Sequence, residues 1–383
     1  MSENTTPNPN NSLTQNQILG QFFTPPQLVE KCISLIKNGQ KILEPSCGAG
    51  AFSRLQDANS VFIEIDKTVV QNLNVLIMDF FDYDPTSKFD TIIGNPPFVD
   101  NSLFTAPKNS QIPVRANLYL HFMEKCFYHL ADHGEIIFVV PSEFIKLTSA
   151  KFVNELYCQN GTFTHYFDFG AEHFFENTCV NICIFRYEKD NFSHETETFN
   201  GKLKMKINNG IISLTRGDNH TRLGDLFKIK VGVTSGADKI FEHVDGDEFV
   251  FPATAQTGEL RKMIYQQTHP DLVKHKQVLL ARKIKKFTEQ NWYEWGRAIN
   301  FREGEPRIYV NRKSDHPNPF FFSPCSKWID GVLALFPKQA MSQANLQTVV
   351  QKLNQTNWRE LGFQTGDKIV FTQKSLQEAL VNL

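Results

Sequence analysis

A chain of 383 residues is long enough for two domains with cores of their own, and its 40 basic and 41 acidic residues leave a formal net charge of −1. That balance argues against a nucleic-acid binder only if the charge is spread evenly, and it is not. Residues 1–190 hold 13 Lys and Arg against 21 Asp and Glu (net −8), whereas residues 191–383 hold 27 against 20 (net +7).

No apolar stretch approaches the roughly 18 residues of a membrane span, and the polar start Met1 to Asn11 lacks the basic and apolar regions of a signal peptide. Residues 1–14 therefore read as a disordered leader, and the chain reads as cytoplasmic, with no membrane partner. Seven cysteines, an odd number with no C-x-x-C pair, lie mostly in apolar runs and are expected to be reduced, buried thiols. No metal constellation stands out.

The first strongly patterned segment, Lys41 to Gly50, reads as a buried strand that opens into a small-residue loop and then a helix. Gly48 and Gly50 let a ligand approach the backbone. The third glycine of a dinucleotide fingerprint is missing, and Glu44 is out of place at a phosphate site but suits a cationic ligand. The next strand, Val61 to Asp66, carries Glu64 near its carboxyl end, about twenty residues after the loop, where an acid can accept hydrogen bonds from ribose hydroxyls, with Ile65 beside it. A third run, Val75 to Phe80, ends in Asp79 and Phe80, an acceptor next to an apolar wall.

A fourth run, Thr91 to Gly94, leads straight into Asn95-Pro96-Pro97-Phe98. The two prolines fix φ and carry no backbone donor, so the turn presents acceptors, and Phe98 offers a plane for stacking. An exocyclic amine whose lone pair is delocalised into its ring can be alkylated only if its N–H groups are drawn toward such acceptors. The Asn95 amide and the Pro96 carbonyl provide them, and a base taken out of its helix fits that geometry.

Further on, Leu118 to Glu124 has helical spacing with Phe122 on one face, Gly134 to Pro141 reads as a core strand, and Val180 to Tyr187 as a late one. Apolar runs alternating with helical patterns through residue 157 predict an α/β fold with a parallel sheet covered by helices. The polar stretch Glu188 to Asn200 reads as a linker.

These motifs together resemble the S-adenosylmethionine-dependent N6-adenine DNA methyltransferases of the NPPY/F (gamma) class, of the type II restriction-modification type. The likeness rests on Phe22-Phe23-Thr24-Pro25-Pro26, the Leu43 to Gly50 loop, Glu64, Asp79, Asn95 to Phe98, Gly134 to Pro141, and Phe174-Phe175 ahead of Val180 to Arg186. It implies a Rossmann-like methyltransferase domain over residues 15–200 and a mixed α+β target-recognition domain over 201–383. S-adenosyl-L-methionine is the implied cofactor. It would be held by Phe23, Thr24, Glu44, Pro45, Ser46, Cys47, Gly48, Glu64, Ile65, Asp79, Phe80, Asn95, Pro97 and Phe122.

By the same resemblance, Asn95, Pro96, Pro97, Phe98 and Phe175 form the catalytic set, with the target adenine between Phe98 and Phe175 and Phe174 the competitor for the second ring. Tyr is common in this family where this chain has Phe98, but stacking needs only the ring. Leu226 to Phe241 resembles the opening of the recognition domain, and Lys228, Lys230, Thr234, Arg282, Lys283, Arg312 and Lys313 are the expected DNA contacts. The implied partner is double-stranded DNA, methylated by a monomer, with a cognate restriction endonuclease acting separately. The alternatives left open are a glutamine N5-methyltransferase acting on a release factor, an N4-cytosine DNA methyltransferase, and a non-catalytic nucleic-acid-binding module.

Overall fold

The computed structural model describes residues 22–71, 74–84, 86–170, 172, 174–175, 180–217 and 220–383, so the leader expected over residues 1–14 lies outside the described residues. The chain forms two compact units, Met1–Arg216 and Gly217–Leu383.

In the first unit, helix α1 (Pro26–Ser34) starts on a proline, which suits a position whose N–H would lack a helical partner anyway. The strands β1 (Ile42–Glu44), β2 (Val61–Glu64), β3 (Leu76–Ile77) and β4 (Phe89–Gly94) follow, then α2 (Leu118–His129), β5 (Leu130–Pro141), α3 (Lys151–Asn160), β6 (Gly161–Asp168) and β7 (Ile182–Lys189). Three further strands, β8 (Glu195–Thr198), β9 (Gly201–Asn208) and β10 (Ile211–Thr215), complete one ten-stranded sheet in the order β10-β9-β8-β6-β7-β5-β4-β1-β2-β3. The strands from β3 to β5 are mutually parallel, while β7 runs antiparallel between β5 and β6.

Both faces of the sheet's centre are buried, which explains the apolar stretches Ile92-Ile93 of β4 and Ile136 to Val140 of β5. Ile136, Phe138 and Val140 of β5 pack with Tyr119, Leu120 and Met123 of α2, and the alternate residues Ile137 and Val139 pack with Leu28, Val29 and Cys32 of α1. The antiparallel insertion of β7 is pinned by a buried ion pair. Arg186 on β7 donates from Nε to Glu135 Oε2 at 2.7 Å, and Glu135 Oε1 accepts from the Lys37 and Asn38 amides and from Thr91. A carboxylate so fully hydrogen-bonded tolerates burial, whereas either charge alone would not.

The sheet runs past the boundary expected at residue 200, because β8, β9 and β10 continue it, and the division between units falls at Arg216 and Gly217. The stretch expected as a linker contains the end of β7 and β8 itself.

The second unit is a mixed α+β assembly. Its four-stranded sheet has the order β12-β18-β15-β17, and short pairs or triplets join β11 to β21, β13 to β14, and β16 to β20 and β19. In chain order these are β11 (Thr221–Arg222), β12 (Phe227–Val231), β13 (Glu242–Phe249), β14 (Arg261–Met263), β15 (Ile308–Asn311), β16 (Lys313–Ser314), β17 (Phe320–Phe321), β18 (Val332–Pro337), β19 (Gln364–Thr365), β20 (Lys368–Val370) and β21 (Leu380–Val381). The longest helix, Gln343–Gln355, is capped by Ser342, whose side chain accepts from the Asn345 amide. Phe320 is buried against Trp358 and Phe371 in this unit's core. Among the described residues no helix is long and apolar enough to cross a membrane.

Candidate active site

The chain winds from β1 through β2 to β3 on one side of the first unit's sheet and resumes at β4 on the other, so β1 and β4 flank a crevice at their carboxyl ends. Ligands bind at such a switch point in open α/β sheets. A cavity of about 370 Å³ opens there, within the range of small-molecule clefts. Its lining includes Phe23, Pro45, Ser46, Gly48, Glu64, Ile65, Asp79, Phe80, Asn95, Pro97 and Phe122, which is most of the expected cofactor set. Thr24, Glu44 and Cys47 do not line it.

The loop after β1 is built on local hydrogen bonds. Cys47 N donates to Ile63 O at 2.9 Å and Gly50 N to Cys47 O at 2.8 Å, while Gly48 (φ 53°) and Gly50 (φ 86°) take left-handed conformations that suit glycine. Glu64, at the end of β2, holds this loop against the next: Oε2 accepts from Gly48 N at 2.8 Å and Oε1 from Asp66 N at 2.9 Å. Ile65 beside it is 54% exposed, an apolar side chain facing an open cleft. Asp79 caps the turn Phe80–Asp82 by accepting from Phe81 N at 2.9 Å. The Phe80 and Phe122 rings lie 5.2 Å apart and line the same cavity, so Phe122 is both a core residue and a wall.

Glu44 is the odd member. It is 1% exposed, its Oε2 has no hydrogen-bond partner, and burial, reinforced by the Glu64 charge, holds its carboxyl well above the ordinary value of 4.5. A buried, uncompensated acid beside a ligand cleft is the arrangement that a cation stabilises. Cys47 is buried too, and burial with Glu44 and Glu64 nearby pushes its thiol up, the reverse of what a nucleophile needs.

Asn95 follows β4, and its amide is oriented by two bonds. Nδ2 donates to Phe22 O at 2.9 Å and to Thr24 Oγ1 at 3.2 Å, which leaves Oδ1 buried with no partner. Thr24 thus orients the amide. Ser46 Oγ also donates to the Asn95 main-chain oxygen, at 3.4 Å. A buried acceptor without a donor is costly and is the atom to which an incoming N–H would bind.

The two rings expected to bracket a base do not form an open slot. Phe98 and Phe175 stand 6.2 Å apart at 75°, whereas a base stacked on both needs parallel rings about 7 Å apart, twice a carbon–carbon contact. Phe22 packs on both, 5.5 Å from Phe98 and 5.2 Å from Phe175. Of the two adjacent candidates it is Phe175 that reaches Phe98, while Phe174 packs on Phe169.

Sequence reasoning gave Phe22 no role of its own, and it missed Met78, Phe81 and the 99–105 segment that covers the cleft. The only signal for Phe22 was its place beside Phe23-Thr24-Pro25, and the covering segment has no period to read.

In the second unit, Thr234, Arg312 and Lys313 line one cavity of about 910 Å³ with Lys239 and Asp330. Asp330 orients Arg312 through a 2.7 Å contact with its guanidinium, and Thr234 Oγ1 donates to the same carboxylate at 3.4 Å. Lys228 and Lys283 are exposed outside this cavity, and Lys230 lies over the Phe336 ring, 4.7 Å from its centre.

Arg282 corrects the expectation that it meets phosphate. It is buried, donates to the carbonyls of Leu279, Ser235, Trp292 and Glu294, and stacks on Phe287 at 3.8 Å. Burial lowers its pKa to about 10, and the guanidinium is a strut of the core.

This sheet order, with β7 inserted antiparallel between β5 and β6, an acid ending β2 and Asn-Pro-Pro-Phe ending β4 make a Rossmann-like fold, and S-adenosyl-L-methionine is the cofactor that the motifs imply for it. The buried Glu44 carboxyl, with Oε2 unpartnered, and the partly apolar cleft fit a cationic, purine-bearing group of that kind.

Comparison with known proteins agrees with the resemblance read from the motifs. Residues 29–175 match the family described as Eco57I restriction-modification methylase. The chain is 30% identical over 191 residues to the type II methyltransferase M.HincII of Haemophilus influenzae, a match covering 45% of this chain and 37% of that protein. It is 27% identical over 215 residues to M.AccI of Acinetobacter calcoaceticus, covering 49% and 40% respectively. The matches thus span well under half the length of these relatives. The solved structure of the type IIL restriction-modification enzyme MmeI in complex with DNA shares the fold, with a TM-score of 0.59 at 11% identity over 92% of this chain and 64% of that one.

Proposed function

We propose that this protein is a site-specific DNA methyltransferase that modifies the N6 amine of an adenine turned out of the duplex, within a restriction-modification system. The observation that carries the reading is Asn95 Oδ1, a buried acceptor left without a donor at the end of β4, beside a cleft whose buried acid Glu44 lacks a counter-charge.

When bound, S-adenosyl-L-methionine supplies an electrophilic methyl group on a sulfonium. Glu44 compensates positive charge in that ligand, Glu64 and Asp79 accept from its ribose and purine amine, and Ile65, Phe80, Phe122 and Pro97 pack on the purine. Asn95 Oδ1 and the Pro96 carbonyl accept the two N–H groups of the target amine, which draws its nitrogen toward a tetrahedral geometry and turns the lone pair outward. The nitrogen becomes acidic once substituted, so no strong base is required.

Phe98 and Phe175 hold the base after Phe22 withdraws, and Arg312, Lys313 and Thr234 contact the duplex. The enzyme acts as a monomer, independently of any endonuclease. Incubation with methyl-labelled S-adenosylmethionine and, separately, duplex DNA, RNA and a release factor tests the assignment. Label in duplex DNA supports it, and label confined to RNA or to the release factor overturns it.

A further inference from the structure

Beside the larger cavity of the second unit, two imidazoles and two carboxylates gather. His243 and Asp245 lie in β13 where its pairing with β14 slips: Glu242 and Asp247 both face Met263, so residues 243–246 bulge outward. Gly246 is what permits this, since a Cβ there would meet the Met263 backbone at 2.4 Å. Bulges re-aim side chains, and this one presents His243 and Asp245 toward His269 and Asp271. The rings of His243 and His269 are 4.4 Å apart, and one ligand atom from each of His243, Asp245 and His269 lies within 4.8 Å of the other two.

We infer that His243, Asp245 and His269 bind a divalent transition-metal ion, with zinc the best match to a set of two imidazoles and one carboxylate. Asp271 plays the outer part. Its Oδ2 lies 3.2 Å from His243 Nε2 and takes that N–H, which is how metal-bound histidines are usually oriented. The Nδ1 lone pair of His243 is then left facing Asp245, whose Oδ2 is 3.7 Å away.

That Nδ1 now accepts a 3.2 Å contact from the Asp245 amide, as His269 Nδ1 does from the Asp271 amide; the ion replaces the first, and ligation by His269 through Nε2 takes the tautomer with its proton on Nδ1, which gives up the amide contact and turns toward Asp271 Oδ2, 3.8 Å away. Tetrahedral zinc with bonds of about 2.0–2.2 Å needs ligand atoms roughly 3.3–3.6 Å apart. His243 Nδ1 and Asp245 Oδ2, 3.7 Å apart, are already near that spacing, so the closure, of about 1 Å at most, falls on His269.

The ion would tie the β13 bulge to the segment leading into the turn Pro270–Val273. Lys239 and Ile240 line both the cavity at this cluster, of about 450 Å³, and the larger one that holds Arg312 and Lys313. A bound metal therefore fixes one wall of that larger cavity.

The test uses the full untagged chain, stripped with chelator and titrated with Co²⁺. Tetrahedral d–d absorption that Zn²⁺ displaces, with micromolar or tighter affinity, is expected. His243→Ala and His269→Ala should each weaken binding at least a hundredfold, and Asp271→Asn about 10–100-fold. Should the variants fold poorly, Zn²⁺ protection of His243 and His269 from diethylpyrocarbonate in the wild type gives the same answer by peptide mass analysis. Binding unchanged in a His243→Ala/His269→Ala protein, thiolate charge-transfer bands in place of imidazole ligation, or no protection of either histidine overturns the site.

Discussion

Replacing Asn95 by Ala separates the two things this side chain does. The amide donates to Phe22 O and Thr24 Oγ1, and it leaves Oδ1 buried and unpartnered. Losing two neutral hydrogen bonds costs folding about 1–3 kcal/mol, partly offset because an orphaned acceptor disappears with them. Turnover should suffer more. An acceptor aimed at a nitrogen that gains positive charge in the transition state is the counterpart of a donor aimed at an oxyanion, and deleting one such group costs about 10²–10³ in kcat, or roughly 2.7–4 kcal/mol.

Cofactor affinity should fall far less than turnover, because Asn95 borders the same cleft but Glu44, Glu64 and Asp79 are untouched. Single-turnover transfer of labelled methyl to duplex DNA, beside calorimetric binding of S-adenosylmethionine, reads both quantities. Wild-type turnover in Asn95→Ala, or a loss of cofactor affinity as large as the loss of rate, would refute the reasoning.

Glu44 should make cofactor binding pH-dependent. Burial raises its pKa above 4.5, so the apo folded state holds a proton that the unfolded chain has released; its contribution to apo stability falls as pH rises above 4.5, and a cationic ligand must expel that proton. Affinity for S-adenosylmethionine is therefore expected to increase with pH above that value, and in Glu44→Gln to be weaker and flat; a flat wild-type profile by calorimetry would count against this role.

Phe22→Ala should empty the space against Phe98 and Phe175 and enlarge the fluorescence rise of 2-aminopurine at the target position, whereas Phe98→Ala should diminish it. Identical rises in all three proteins would dismiss Phe22 as a plug. Lys313→Ala should weaken binding to all DNA sequences alike and reduce the salt slope by about 1, while Arg312→Ala, whose guanidinium Asp330 orients, should relax sequence preference by about 1–3 kcal/mol at one base pair. Equal effects of the two substitutions in filter binding would deny them different tasks.

The first unit was the more legible in sequence, because short-range constraints specify it. Strand segments covered on both faces are apolar on both, so the inner ends of β4 and β5 announce themselves, and a glycine with positive φ or a proline pair fixes a loop wherever it occurs. The sequence places Glu64 and Asp79 at strand ends but does not show the loop amides they hold, Gly48 and Asp66 for the one and Phe81 for the other.

Distance hid the rest. The extension by β8 to β10 depends on pairing between strands of modest pattern, and the closed arrangement of Phe22, Phe98 and Phe175 joins residues 22, 98 and 175 through side-chain packing alone. Arg282 shows the same limit from the other side. A basic residue in a basic stretch looks solvent-exposed until four carbonyls turn out to surround it.

Digestion of duplex DNA methylated with trideuteromethyl S-adenosylmethionine, followed by mass analysis of the nucleosides, bears most directly on the proposed chemistry. If Asn95 Oδ1 and the Pro96 carbonyl grip an adenine amine, the heavy methyl appears on N6 of deoxyadenosine and is absent when Asn95 is Ala. Heavy label on N4 of deoxycytidine, on a ring carbon, or undiminished in the Asn95 variant would contradict it.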